Sequence, residues 1–84
     1  MDEHHITYEE LMEFFTQQRE IEFMYQGKLY AFLQMKGGFV LVCENRSITP
    51  VYMDYTRLAN EAEIEGTLFL QLFQESKIEI TIVF

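Results

Sequence analysis

The stretch Arg19–Leu33, REIEFMYQGKLYAFL, restricts the fold more than any other part of the chain. Apolar and polar residues alternate from Glu20 to Tyr25, Gln26-Gly27 follows, and a second run extends from Lys28 to Leu33. Alternation interrupted by two residues, the second a glycine, is the pattern of a β-hairpin with a two-residue turn. Such a turn sets Tyr25 opposite Lys28, Phe23 opposite Tyr30 and Ile21 opposite Phe32, all on one face, because side chains alternate with period two. Phe23–Tyr30 and Ile21–Phe32 are the expected core pairs. The other face carries Glu20, Glu22, Met24, Leu29, Ala31 and Leu33, a mixture that leaves open whether anything covers it. Gly27 supplies positive φ at low cost, whereas Gln26 suits a type I′ turn less well than Asn. A bulge at Gly27 would move each pairing by one.

Upstream, Ile6-Thr7-Tyr8-Glu9-Glu10-Leu11 announces a helix. Thr7 is the expected N-cap, Glu10 at the third helical position completes a capping box, and Ile6 with Leu11 forms a hydrophobic staple. Tyr8, Leu11, Met12, Phe14 and Phe15 form the apolar stripe, Glu9, Glu13 and Gln17 face water, and the helix is expected to reach about Gln18. Residues 1–5 read as a loose end. Downstream, Gln34 to Gly38 is expected to turn, and Phe39–Cys43 reads as a strand covered on both faces at the centre of the sheet. Glu44–Ser47 reads as a polar loop, and Pro50 makes Ile48–Met53 a loop or short edge strand. Asp54 is a plausible cap for a helix through Ala62, ended by Ile64-Glu65-Gly66. Thr67 is a candidate cap for a third helix with Phe69, Leu72 and Phe73 on one face and Leu68 and Leu70 off it. Ile78, Ile80 and Ile82 alternate with Glu79, Thr81 and Val83 in a last strand, with the isoleucines inward. The sum is a single α+β domain over residues 1–84, in the order α-β-β-β-α-α-β, with no internal repeat or linker.

At 84 residues there is room for one domain. An apolar content of 49% is enough for a core and argues against disorder. The net charge of −8 argues against direct binding to nucleic acid or to an anionic membrane, and makes a basic protein surface the natural complement. The single cysteine, Cys43, excludes an internal disulfide; the polar start and the lack of a membrane-length apolar run fit a reducing cytoplasm.

The leading capped helix, the Arg19–Tyr30 hairpin R-E-I-E-F-x-Y-x-G-K-x-Y, and Ile64-x-Gly66 followed by an apolar helix and Ile78-Glu79-Ile80 together resemble a group of small uncharacterised acidic proteins of Gram-positive bacteria and their phages. The group has Asn at the position of Gln26 and Trp at that of Phe73. The resemblance implies a phage or mobile-element setting, no known activity and no site residues.

Phosphate-binding, dinucleotide-binding and zinc spacings are absent. Gly37-Gly38 reads as a hairpin turn, and Cys43, in an apolar strand with no base beside it, as a small hydrophobe. His4-His5 with Asp2 and Glu3 does not form a closed tetrahedral metal site. Tyr52 and Tyr55 read as an aromatic loop over the core. No catalytic, cofactor or metal residue is assigned.

What remains is a non-enzymatic interaction or regulatory protein. Its apolar surplus, Leu68, Leu70, Met24, Leu29 and Leu33, marks a partner surface or a homodimer, unless the first helix and the later helices cover opposite faces of the sheet. The alternative is an inhibitor of a host defence or DNA-binding protein that mimics nucleic acid, of the anti-CRISPR or anti-restriction type. Its acids would be Glu9, Glu10 and Glu13 on the first helix and Glu61, Glu63 and Glu65 around the second break, provided they form one ridge.

Overall fold

The computed structural model of the chain describes residues 6–84. Its elements are α1 (Tyr8–Thr16), β1 (Ile21–Tyr25), β2 (Lys28–Met35), β3 (Gly38–Cys43), β4 (Arg46–Ser47), α2 (Tyr55–Glu61), β5 (Glu63–Ile64), β6 (Thr67–Leu68), α3 (Phe69–Gln74) and β7 (Glu79–Val83). The protein is α+β. A five-stranded antiparallel sheet runs in the order β4-β3-β2-β1-β7, and β5 and β6 form a separate two-stranded ribbon.

The capping box of α1 is formed. Glu10 N donates to Thr7 Oγ1 at 3.1 Å, and Thr7 N donates to Glu10 Oε1 at 2.9 Å. A side-chain cap of this kind contributes about 1 kcal/mol. The helix stops at Thr16, before Gln18, because Gln18 takes a left-handed conformation with φ of 59°. Gln18 N then donates to the Phe15 carbonyl and Arg19 N to the Phe14 carbonyl, which closes a Schellman motif. Ser76, with φ of 59°, ends α3 in the same way.

The hairpin has the register expected from the sequence: Tyr25 opposite Lys28, Phe23 opposite Tyr30, Ile21 opposite Phe32. Gln26 and Gly27 both have positive φ, as a type I′ turn requires. Ile21, Phe23, Tyr30 and Phe32 are buried. Phe15 of α1 meets Phe32 edge-on at 5.1 Å between ring centroids and stacks on Tyr55 of α2 at 5.6 Å, while Phe69 of α3 lies 4.9 Å from Phe32 and 5.3 Å from Phe23. All three helices therefore pack on the same face of the sheet. Leu11, Leu58, Ala59, Leu72 and Phe73 complete that single core.

Several local expectations are corrected. Strand β2 continues to Met35, and the turn is Lys36–Gly37; Gly38 already belongs to β3. The 39–43 strand lies inside the sheet as expected, flanked by β2 and β4, one strand away from the middle strand β2. The Glu44–Ser47 loop is a third hairpin: Glu44 and Asn45 take φ of 49° and 72°, and Arg46 and Ser47 pair with Cys43 and Val42. Glu65-Gly66 is likewise a tight turn with positive φ at both residues, joining β5 to β6, so α3 begins at Phe69 with Leu68, not Thr67, at its N-cap. Of the three isoleucines expected inward, Ile78, just before β7, packs half-buried against the core and Ile80 in β7 is buried, but Ile82 is not. A bulge at Thr81 shifts the pairing between Phe23↔Ile80 and Glu22↔Ile82, so Ile82 turns outward and Val83 packs against the core.

Candidate functional site

Among the described residues, all three helices lie on one side of the sheet and none packs on the opposite face. The alternation of the strands assigns that face its residues: Glu22 and Met24 from β1, Leu29, Ala31 and Leu33 from β2, Val40 and Val42 from β3, and Glu79 and Ile82 from β7. Val40 and Ala31 are buried there, Met24, Leu33 and Val42 are half-buried, and Leu29 and Ile82 are exposed. The hairpin turns at Gln26–Gly27 and Glu44–Asn45 lie at the same end of the sheet, where Glu44 N donates to the Leu29 carbonyl at 3.0 Å.

At this end the face hollows into an open groove of about 420 Å³. Leu29, Ala31, Leu33 and Val42 supply its apolar floor and walls, Glu22 borders it from β1, and Glu44 and Asn45 border it from the β3–β4 turn. Among the described residues, neither Glu22 nor Glu44 has a salt bridge or a side-chain hydrogen bond.

The acids singled out in the sequence are differently employed. Glu10 is consumed in the α1 cap, and Glu13 accepts a hydrogen bond from Gln17 at 3.3 Å; Glu9 is exposed. Glu61 pairs with Arg57 at 3.0 Å and accepts from the Tyr52 hydroxyl at 3.3 Å. The hydrogen bond from Arg57 holds the Glu61 carboxyl below its ordinary pKa, while desolvation, followed by the Glu61 charge, raises the Tyr52 hydroxyl. Glu65 pairs with Lys28 at 3.4 Å, and Glu63 is exposed in β5. Leu68 is exposed, but Leu70 packs half-buried against the core. Of the apolar surplus, the structure brings together Met24, Leu29 and Leu33.

Glu22, Glu44, Asn45, Ala31 and Val42 were not among the sequence candidates for binding. The alternation that sets Val40 and Val42 against Leu41 was the available signal for the last of these, but it says nothing about which side the helices take. Cys43 is half-buried opposite Tyr30. Burial, with a hydrogen bond to Cys43 next, pushes the Tyr30 hydroxyl up to about 12. The His4-His5 reading and the loose end at 1–5 fall outside the described residues. Among the described residues, no helix is long and apolar enough to cross a membrane.

No protein-family model, curated protein or solved structure matches the chain. The resemblance to small acidic proteins of Gram-positive bacteria and their phages rests on the quoted sequence features alone.

Proposed function

We propose that this is a non-enzymatic interaction protein that binds a protein partner through the helix-free face of its sheet. The observation that carries the reading is the apolar groove of Leu29, Ala31, Leu33 and Val42 on a face that, among the described residues, no helix covers. A small domain that leaves apolar side chains such as Leu29, Leu33 and Val42 partly exposed in one groove gains by burying them against another surface. The nucleic-acid mimic needs free carboxylates in a row, and the ion pairs of Glu61 and Glu65 count against that second group. A homodimer through β7 is disfavoured by the bulge at Thr81, whose hydroxyl donates to the Glu22 carbonyl at 3.2 Å; bulged edges resist strand pairing.

The test is affinity capture from the native host with the parent chain and with Leu33→Lys, a substitution on the uncovered face. The expected result is a partner captured by the parent and lost with Leu33→Lys, while Leu68→Lys, on β6, retains it. Both variants are checked for unchanged thermal unfolding. Equal capture by all three chains would reject the uncovered face as the binding surface.

A further inference from the structure

The charges around the groove narrow the kind of partner. Glu22 stands on β1 and Glu44 at the end of β3, so acids border the apolar floor from strands two spacings apart, about 10 Å. Glu79, opposite Met24, adds a third carboxylate on the same face. Among the described residues, the lysines and arginines are placed elsewhere. Lys28 is paired with Glu65, Arg57 with Glu61 and Lys77 with Glu75, and Arg19 donates to the carbonyls of Phe84 and Val83. Arg46, opposite Cys43, falls by alternation on the helix side, and Lys36 sits in the turn at the far end of β2 and β3. The groove is therefore apolar inside and anionic at its rim, with no lysine or arginine among the described residues that line it. A second copy of this chain fits poorly, since it would set the same acids against one another in a molecule of net charge −8.

We infer that the groove receives a cationic amphipathic segment of a partner protein, one apolar side chain entering between Leu29, Leu33 and Val42 while flanking lysines or arginines meet Glu22 and Glu44. This rests on the proposed function and specifies the partner's chemistry. The apolar insertion supplies most of the affinity, and the flanking charges supply orientation and speed of association.

The experiment titrates the ¹⁵N-labelled chain with two synthetic peptides of identical apolar sequence, one carrying lysines on both sides of a central leucine, the other glutamines. The lysine peptide is expected to shift the amides of Leu29, Ala31, Leu33 and Val42. Glu22→Gln with Glu44→Gln should weaken its binding about fivefold to tenfold, whereas Glu9→Gln with Glu13→Gln, the same loss of charge on α1, should change it less than about twofold. Equal weakening by both double variants, or shifts confined to α1, would overturn the inference by reducing the attraction to net charge. Equal binding of the glutamine peptide at the groove would also overturn it, yet leave the face as the docking surface. Failure of both peptides to reach the face while Leu33→Lys still abolishes capture overturns the cationic partner alone; failure of the capture experiment as well removes the proposed function with it.

Discussion

Gly38 lies against the backbone of Tyr52 so closely that a β-carbon at Gly38 would overlap the Tyr52 carbonyl. The contact is sustained by two hydrogen bonds next to it: Phe39 N donates to Tyr52 O at 2.7 Å, and Tyr52 N donates to Phe39 O at 2.8 Å. The 48–53 segment is thus strapped along the start of β3, and the strap passes where only a glycine leaves room. Gly38 also has φ of 147°, which side chains disfavour. Gly38→Ala is expected to destabilise the fold by about 3 kcal/mol. Gly37→Ala, strained at φ of 96° but with open space around it, should cost about 1 kcal/mol. Urea denaturation of the two variants measures the difference.

Phe23 touches Tyr30, Phe32 and Phe69 at ring-centroid distances of 5.2, 5.7 and 5.3 Å and is fully buried. Phe23→Ala removes the contact that joins the hairpin to α3 and should cost about 3–5 kcal/mol. For a domain of this size that is a large share of the total stability. A midpoint of unfolding equal to the parent's would show that the core does not depend on this ring.

Alkali should weaken the fold through Tyr30. Its hydroxyl titrates near 12 in the folded chain, against 10.0 ordinarily. A raised value means that the folded state holds its proton more tightly, so the stabilisation is full below about pH 10 and is lost as the pH rises through the folded value. Tyr30→Phe should flatten the stability profile between pH 10 and 12, measured by denaturant midpoints at each pH.

The bulge in β7 makes its own forecast. Ile82→Lys should be tolerated within about 0.5 kcal/mol, because the side chain already faces water. Val83→Lys pushes an ammonium toward the core and should destabilise by more than about 1 kcal/mol. The reverse order of thermal midpoints would mean that the strand keeps simple alternation through Thr81.

Gln18 and Ser76 close their helices in the left-handed region without being glycine. Gln18→Gly should stabilise the chain by about 0.5–1 kcal/mol, since relief of the β-carbon strain outweighs the added freedom of the unfolded chain. Thermal unfolding gives the sign directly.

What was legible in the sequence is what local chemistry encodes. Gln26-Gly27 between alternating runs announced the hairpin and its register, and Thr7 with Glu10 and Asp54 with its following helix announced their caps. The Glu44–Asn45 turn was missed because neither left-handed residue is a glycine and β4 is too short to show a period. The β5–β6 ribbon was missed for the same brevity, although Glu65-Gly66 repeats the chemistry of Gln26-Gly27. The bulge at Thr81 was hidden because a run of alternating isoleucines reads as one unbroken phase. The groove was out of reach for a different reason. Leu29, Leu33 and Val42 read as apolar strand residues whichever side the helices take, and that side is decided by Phe15, Tyr55 and Phe69 meeting across distant parts of the chain.

Among the described residues, β1 is the one strand that pairs with β7, with Thr81 and Glu22 separated by 59 positions along the chain. The β1–β2–β3 meander closes through short turns and can assemble early, whereas closing the loop to β7 costs more chain entropy. During folding, β1 therefore presents a bare row of amide and carbonyl groups until the last strand arrives. That interval is when the chain is most exposed to pairing with a wrong strand. The Arg19 guanidinium, stacked 5.3 Å over Phe14 and bonded to the Phe84 carbonyl at 3.0 Å, latches β7 to the end of α1, so the strand that docks late is also held against leaving.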